Sequence, residues 1–270
     1  MKKYFISCDL EGVHGIVGEP YSGLLKTIAD YPKAVENLTL EVNTAIRALF
    51  DGGADEVHVW DGHGGGGNLD FSFIDSRAEQ IHHKTVYSPQ RLDCLKDGDY
   101  SGVILIGYHA REGTGGVLAH TYSSVHVQYM KINGVPYGEF EFDSSIIGGM
   151  GIPTIFMSSD DVALKQMQAF APHIITVVTK YAKGRNKALF RDCEEVLQDI
   201  YDGVRRAMDI QEIVPPFTYP CEFEVRYTRM EYAEEILTNR QDKLPSLCYG
   251  DDLHILKATL RNVNDLRLFF

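Results

Sequence analysis

A chain of 270 residues with a formal net charge of -12 fits one large domain or two small ones, and lacks the basic surface that binds nucleic acid. No apolar run approaches the roughly 18 residues that span a bilayer, and the N-terminus lacks the pattern of a secretory signal. Five scattered cysteines, never spaced C-x-x-C, indicate free thiols in a reducing compartment: Cys8, Cys94, Cys193, Cys221 and Cys248. We therefore expect a cytoplasmic protein without nucleic-acid or membrane partners.

Four short apolar runs, each followed by turn residues and a metal-binding side chain, predict buried strands. They are Lys3–Ile6, Val57–Trp60, Val103–Ile106 and Thr154–Met157. Between the first two, apolar residues recur at steps of three and four and predict a helix: Val35, Leu38, Val42, Ala45, Ile46 and Leu49. Gly52 and Gly53 end it. This strand–helix–strand unit predicts parallel pairing with a right-handed crossover.

The pattern changes between the third and fourth strands. Asn133-Gly134 separates the extended runs Lys131-Ile132 and Val135–Tyr137. Asn-Gly between extended runs is a strong hairpin signal, so an inserted β-hairpin is predicted here. Its second arm ends at Glu139, which could place that carboxylate over the edge of the sheet.

The second half of the chain has fewer motifs. Apolar spacing from Leu189 to Val204 predicts a long amphipathic helix, and strict alternation from Cys221 to Tyr227 predicts a strand with one wet face. A helix over Met230–Leu237, a short strand near Leu247 and a final helix from about Asp252 are expected to follow.

These elements predict an α/β fold with a mostly parallel sheet and an inserted β-hairpin, followed by a smaller α+β portion. We expect residues 1–185 to form the metal-binding catalytic portion and residues 186–270 the C-terminal portion. A single continuous unit is the alternative, because no linker, repeat or low-complexity tract separates the two.

Carboxylates and imidazoles follow the ends of the first three strands. Asp9 and Glu11 follow the first strand, His63 follows the second with Asp61 as a candidate orienting partner, and His109 follows the third. Ligands of open α/β sheets bind beyond the carboxyl ends of the strands, where these side chains would meet. Two carboxylates with two imidazoles suit Zn, Mn or Co better than Mg or Ca.

A further histidine, His120, follows His109 after a glycine-rich connection. Curled back over the site it could transfer a proton, stabilise an oxyanion or attack as a nucleophile, and the alternative is an exposed loop histidine. The string His63-Gly64-Gly65-Gly66 resembles an esterase oxyanion loop, but the chain has no G-x-S-x-G elbow and no nucleotide-binding glycine motif. The other histidines are expected to be structural or exposed: His14, His58, His82, His83, His126, His173 and His254.

At these residues the chain resembles the DppA-like D-aminopeptidases, zinc metallopeptidases of dipeptide-transport operons. Five family motifs occur in order between residues 4 and 161. They are S-x-D-x-E-G at residues 7–12, D-x-H-G at 61–64, G-Y-H-A at 107–110, H-T at 120–121 and N-G-x-x-x-G-E at 133–139. One such motif would be weak evidence for the resemblance, whereas five motifs in the same order are specific.

The resemblance implies a zinc centre, with two ions per subunit bridged by Asp9. The implied ligands are Asp9, Glu11, His63, His109 and Glu139. His120 would be the catalytic residue, as a nucleophile or as a general acid or base. Members of the family release the N-terminal residue of short peptides, some with a preference for D-amino acids, and assemble as ring-like homo-oligomers.

Three departures from the family pattern lie near the expected substrate pocket. Residues 140–145 replace a stretch of small residues, Ser159 replaces a glycine before paired acids, and the glycine run after His63 is unusual. These changes bear on side-chain and stereochemical preference more than on the metal centre. Another metal-dependent amidohydrolase or phosphoesterase, or a non-catalytic metal- or peptide-binding protein, would also be consistent with the residues themselves.

Overall fold

The structure is a computed structural model that describes residues 1–81, 89–96 and 98–269. The predictions for His82 and His83 fall outside these residues. None of the helices in the described ranges is long and apolar enough to cross a membrane.

Within those ranges the chain forms twelve strands and five α-helices. The strands are β1 (Lys3–Cys8), β2 (Glu56–Asp61), β3 (Glu79–Gln80), β4 (Gly102–Ile106), β5 (Val127–Ile132), β6 (Val135–Tyr137), β7 (Thr154–Asp160), β8 (Ile175–Gly184), β9 (Lys187–Phe190), β10 (Cys221–Tyr227), β11 (Cys248–Tyr249) and β12 (Ile255–Leu260). The helices are α1 (Tyr31–Asp51), α2 (Glu139–Gly149), α3 (Asp161–Phe170), α4 (Cys193–Ala207) and α5 (Met230–Arg240).

The first sheet has the strand order β3-β2-β1-β4-β7-β8-β9. All its neighbours pair in parallel except β9, which runs antiparallel to β8. In the centre, Cys8 lies opposite both Asp61 of β2 and Ile106 of β4. The carboxyl ends of β1, β2 and β4 therefore meet at one edge, as the strand pattern predicted.

Successive strand residues point to opposite sides of this sheet. Helices cover both faces and bury the side chains on each. Ile6 and Ile104 belong to the core that contains α1 and α4. Phe5 and Leu105 belong to the core that contains residues of α2 and α3. Burial on both faces explains why the strands are continuous apolar runs and gives a three-layer α/β arrangement.

The second sheet is antiparallel, in the order β11-β12-β10-β5-β6. Asn133 and Gly134 form the tip of the β5–β6 hairpin with φ of 50° and 79°, the left-handed values that a two-residue hairpin loop requires. β5 then pairs with β10, with Met130 opposite Val225. The inserted hairpin and the C-terminal strands thus share one sheet and one core, which also includes Ala233 of α5.

The predicted fold class is confirmed: a largely parallel α/β sheet with an inserted hairpin and an α+β C-terminal portion. The division into residues 1–185 and 186–270 stays a prediction. The β8–β9 hairpin spans this boundary, and α4 packs against α1 and β8 of the first sheet.

Three local predictions differ from the structure. The final helix predicted from about Asp252 is wrong, because Ile255–Leu260 forms β12 and pairs with β10. The strand β8 was not predicted, and Leu189 lies in β9 instead of the helix that begins at Cys193. Short apolar runs fit both the helical and the strand period, and pairing with distant strands decides between them.

Candidate metal centre

The turn after β1 carries the first two candidate ligands, Asp9 and Glu11. It is tied to the end of β4 because Asp9 N donates to Ile106 O and Gly12 N donates to Gly107 O, both at 2.7 Å. Glycine is required at both ends of the second bond. A Cβ on Gly12 would clash with the carbonyl of Tyr108, and Gly107 has a φ of 75°. The two glycines bring the backbones close enough to set the carboxylates at the strand ends.

One cluster joins Asp9, Glu11 and His63. His63 Nδ1 lies 2.9 Å from Asp9 Oδ1 and 3.1 Å from Glu11 Oε2, and both carboxylates are buried. The loop that carries His63 is held by Asn68, whose Nδ2 donates to the carbonyl of His63 at 2.7 Å and to Asp61 Oδ1 at 2.9 Å. Asp61, the candidate orienting partner of His63, therefore acts on the His63 loop through Asn68.

A second cluster joins His109, His120 and Glu139. His109 Nε2 lies 3.3 Å from Glu139 Oε2 and 3.4 Å from Asp9 Oδ2. Its Nδ1 donates to the carbonyl of Ala110 at 3.1 Å, so in the neutral imidazole the lone pair is on Nε2, the nitrogen that faces the carboxylates. Glu139 begins α2 directly after the hairpin, and the backbone N–H of Tyr122 donates to its Oε2 at 3.2 Å.

Asp9 belongs to the first cluster and also faces His109 of the second. Its Oδ1 faces His63 and its Oδ2 faces His109, so the two oxygens of one carboxylate address two separate groups of donors. Within each cluster, one ligand atom per residue lies within 4.8 Å of the others. The two oxygens of one carboxylate can each bind a cation, so this arrangement is compatible with one or two metal sites.

The donor set fits zinc. The buried Nε2 of His109, a side chain only 1 % exposed, receives no hydrogen bond within the described part of the chain. A buried imidazole nitrogen without a partner is costly unless something else uses its lone pair. Imidazole nitrogens and carboxylate oxygens that converge within a few ångströms are the ligands that zinc takes in catalytic sites.

Without a cation, these groups share protons. Burial and the charge of Glu11 raise the pKa of Asp9 to about 7, against the hydrogen bond and charge of His63 and the charge of His109. Burial would lower the pKa of His109, but Glu139 and Asp9 outweigh it and raise that pKa to about 10. A bound cation favours deprotonated carboxylates and neutral imidazoles, so it would replace these protons.

His120 stacks on His109, with ring centroids 3.7 Å apart and an angle of 16° between the rings. Its Nδ1 lies 2.9 Å from the carbonyl of Leu118, which can only accept, so Nδ1 carries the hydrogen and Nε2 keeps its lone pair. Burial and the charge of His109 lower the pKa of His120 to about 4, against the charges of Glu11 and Glu139. The imidazole is therefore neutral at pH 7, and its Nε2 has no hydrogen-bond partner among the described residues.

A buried lysine supports the turn that carries Glu11, and the sequence reasoning did not identify it. Lys180 Nζ donates to the carbonyls of Glu11, Val13 and Ile16 at 2.6, 2.7 and 2.7 Å. Burial lowers its pKa to about 8, against the carboxylates of Asp160, Glu41 and Glu11. The available signal was a lysine within an apolar strand, but β8 itself was not predicted.

Replacing Lys180 by methionine is expected to lower the free energy of unfolding by roughly 3–5 kcal/mol, because three buried carbonyls lose their donor and Glu41 loses its cation. Urea unfolding followed by circular dichroism measures this change. Lys183→Met is the matched control, since Lys183 is exposed on the same strand and its loss should change the value by less than about 0.5 kcal/mol. Equal stability of the two variants would show that the ammonium does not support the turn.

The clusters lie in the floor of a cavity of about 1130 Å³. Its lining includes the loop of residues 20–25, residues 122–127 and Tyr232 of α5. The tip of the β8–β9 hairpin, Arg185 and Asn186, also lines it. A cavity of this size accommodates a small peptide.

A largely parallel α/β sheet with carboxylates and imidazoles gathered at its strand ends, open to such a cavity, defines a candidate metal-dependent hydrolase. The model of the D-aminopeptidase family, Peptidase_M55, matches residues 1–241, and the chain belongs to this family. The family and the hydrolase class predicted from the sequence are thereby confirmed.

Two relatives illustrate the similarity. The chain is 26 % identical over 218 residues to a D-aminopeptidase of Bacillus subtilis (strain 168), across 81 % of this chain and 78 % of that protein. It shares the fold of a solved structure described as the Zn-dependent D-aminopeptidase DppA from Bacillus subtilis, a self-compartmentalizing protease. That match has a TM-score of 0.85 and 22 % identity, and it covers 99 % of this chain and 94 % of the other.

Proposed function

We propose that this protein is a zinc-dependent aminopeptidase that releases the N-terminal residue of short peptides, with D-amino acids among its substrates. The observation that carries the proposal is the position of Asp9, whose two oxygens face His63 on one side and His109 on the other. Membership of the D-aminopeptidase family and the fold shared with a Zn-dependent member support the same activity.

We infer two zinc ions per subunit, with Asp9 as the bridge. Glu11 and His63 would complete one site, and His109 and Glu139 would complete the other. Two zinc ions held there would polarise the scissile carbonyl and lower the pKa of a water molecule. The protein orients its ligands through Asn68, which holds the His63 loop, and through the N–H of Tyr122, which fixes Glu139.

His120 is the proposed catalytic residue. Stacking on His109 and the hydrogen bond to Leu118 hold its Nε2 beside the clusters. As a neutral imidazole it can accept a proton there and pass it to the leaving amine, or it can attack the carbonyl itself. Both roles use Nε2.

We also propose that the chain forms a ring-like homo-oligomer in the cytoplasm. The fold relative is described as self-compartmentalizing, and the edge strand β9 exposes Leu189 and Phe190. Exposed apolar residues on a sheet edge favour contact with another chain. Cys8, Cys193, Cys221 and Cys248 are free thiols, as in proteins of a reducing compartment. A monomeric mass by light scattering would contradict the assembly.

The test is a panel of dipeptides of both stereochemistries, each with a free or an acetylated N-terminus, together with zinc analysis. An aminopeptidase is expected to hydrolyse the free dipeptides and to lose at least about 100-fold in kcat/KM when the amine is acetylated, because the blocked nitrogen can no longer bind as a cation or as a ligand. Equal hydrolysis of acetylated dipeptides, or activity confined to phosphoesters, would identify a different metal-dependent hydrolase.

A further inference from the structure

The charged residues that line the cavity above the metal centre are acidic, with one exception. Its lining includes the carboxylates of Asp9, Glu11, Glu139 and Glu235. Arg185 is the one lysine or arginine among the lining residues in the described ranges. Asp9, Glu11 and Glu139 are the proposed zinc ligands, so with zinc bound the cationic groups open to a negatively charged part of a substrate would be the metal centre and Arg185.

Most N–H donors of the Arg185 guanidinium have no hydrogen-bond partner among the described residues. Nη1 donates to the carbonyl of Ala119, and no ion pair of Arg185 exists within the described part of the chain. A guanidinium carries five N–H donors in a fork that matches a carboxylate, so several of them are available to a ligand. A cation left without an anionic partner at the wall of an acidic cavity indicates an anion-binding role.

The position of Arg185 is set by the backbone on both sides. Its carbonyl accepts the N–H of Leu118 at 2.8 Å, and the neighbouring Asn186 donates from Nδ2 to Val17 O at 2.9 Å. The hairpin tip is therefore anchored to the loop that carries His120 and to the loop after β1. Such anchoring lowers the ordering cost of binding, because the hairpin tip is already held in place.

We propose that Arg185 binds the C-terminal carboxylate of the peptide substrate and so selects di- and tripeptides with a free C-terminus. Nη1 donates to the carbonyl of Ala119, directly before His120, which places the guanidinium beside the loop that carries the proposed catalytic residue. An extended residue spans roughly 3.5 Å, so the carboxylate of a peptide one or two residues beyond the scissile bond would come within its reach. This inference rests on the proposed aminopeptidase function and specifies its substrate class.

The experiment compares alanyl-alanine with alanyl-alaninamide, in both stereochemistries, for the wild type, Arg185→Met and Lys187→Met. Lys187 is an exposed cation two residues further along the same hairpin and is absent from the cavity lining, so it is the matched control. The ratio of kcat/KM for the acid to kcat/KM for the amide is expected to fall about 10- to 100-fold in R185M. In K187M the ratio should equal that of the wild type.

Two results would overturn the inference. An unchanged acid-to-amide ratio in R185M would show that the side chain does not recognise the carboxylate, and an equal loss for both substrates would show that it only positions the His120 loop. Arg185→Lys is expected to keep part of the preference, because it retains the charge but loses the bidentate fork. Rising salt should reduce the acid preference of the wild type and leave R185M unaffected.

A binding measurement separates this inference from the proposed function. Calorimetry with analogues in which –CH2–NH– replaces the peptide bond reports affinity without turnover, for both the acid and the amide. Tighter binding of the acid by the wild type, lost in R185M, supports the role of Arg185 even if no peptide is hydrolysed. Equal affinity for acid and amide contradicts it even if the protein is an active aminopeptidase.

Discussion

His109→Ala is expected to lose at least one zinc ion per subunit and to lower kcat/KM for dipeptides by roughly 1000-fold or more. His109 Nε2 is buried, receives no hydrogen bond in the described ranges, and faces both Asp9 and Glu139. Its removal would leave one site with carboxylates alone, which bind zinc less well than a mixed set with imidazole. The loss of Lewis-acid stabilisation, worth several kcal/mol, gives the expected size of the rate effect.

Elemental analysis of the purified variant, paired with dipeptide kinetics, measures both effects. His58→Ala is the matched control, since His58 is a buried histidine on β2 that lies outside both clusters and contacts Tyr100. It should retain the wild-type zinc content. His63→Ala is expected to behave like His109→Ala at the other site. Wild-type zinc content in both variants would reject these two residues as ligands.

His120→Ala is expected to keep the full zinc content and to lose about 100- to 10 000-fold in kcat, the range found when a general acid or base is removed. The imidazole is neutral, its Nε2 is free, and stacking on His109 holds it beside the clusters. With the ligands intact, substrate binding should change less than turnover, so that kcat falls more than KM changes.

Zinc content decides between two roles of His120, because its ring nitrogen also lies close to the donor atoms of His109 and Glu139. Loss of one zinc ion in His120→Ala would make it a ligand, whereas full zinc with near-wild-type turnover would remove it from the mechanism. His173→Ala is the control, since His173 lies outside the cavity lining beside Glu212. It should match the wild type in zinc content and kcat.

Much of the candidate site followed from local patterns. Asp9, Glu11, His63 and His109 could be placed at strand ends because each follows a short apolar run, and parallel strands bring such ends to one edge of the sheet. Glu139 could be placed near them because Asn-Gly marks the hairpin that precedes it. These inferences needed only the period of the apolar residues and the turn residues that follow them.

The tertiary structure decided the features that depend on contacts between distant segments. The opposite directions of the two Asp9 oxygens depend on where β2 and β4 place His63 and His109. The support of the Glu11 turn depends on Lys180, 169 residues further along the chain. The strand at Ile255–Leu260, where the sequence predicted a helix, also depends on a distant contact. Pairing with β10 determined its conformation.

The sequence by itself determined the main parallel strands and α1 of the first half, the family, and the residue types gathered at the strand ends, since these follow from short-range periodicity and motifs. Only the tertiary structure decided that one carboxylate serves two clusters, that Asn68 holds His63, and that the β8–β9 hairpin brings Arg185 to the cavity. Local patterns specify the face of a strand or helix on which a side chain lies. The residue that this side chain contacts is determined by long-range packing.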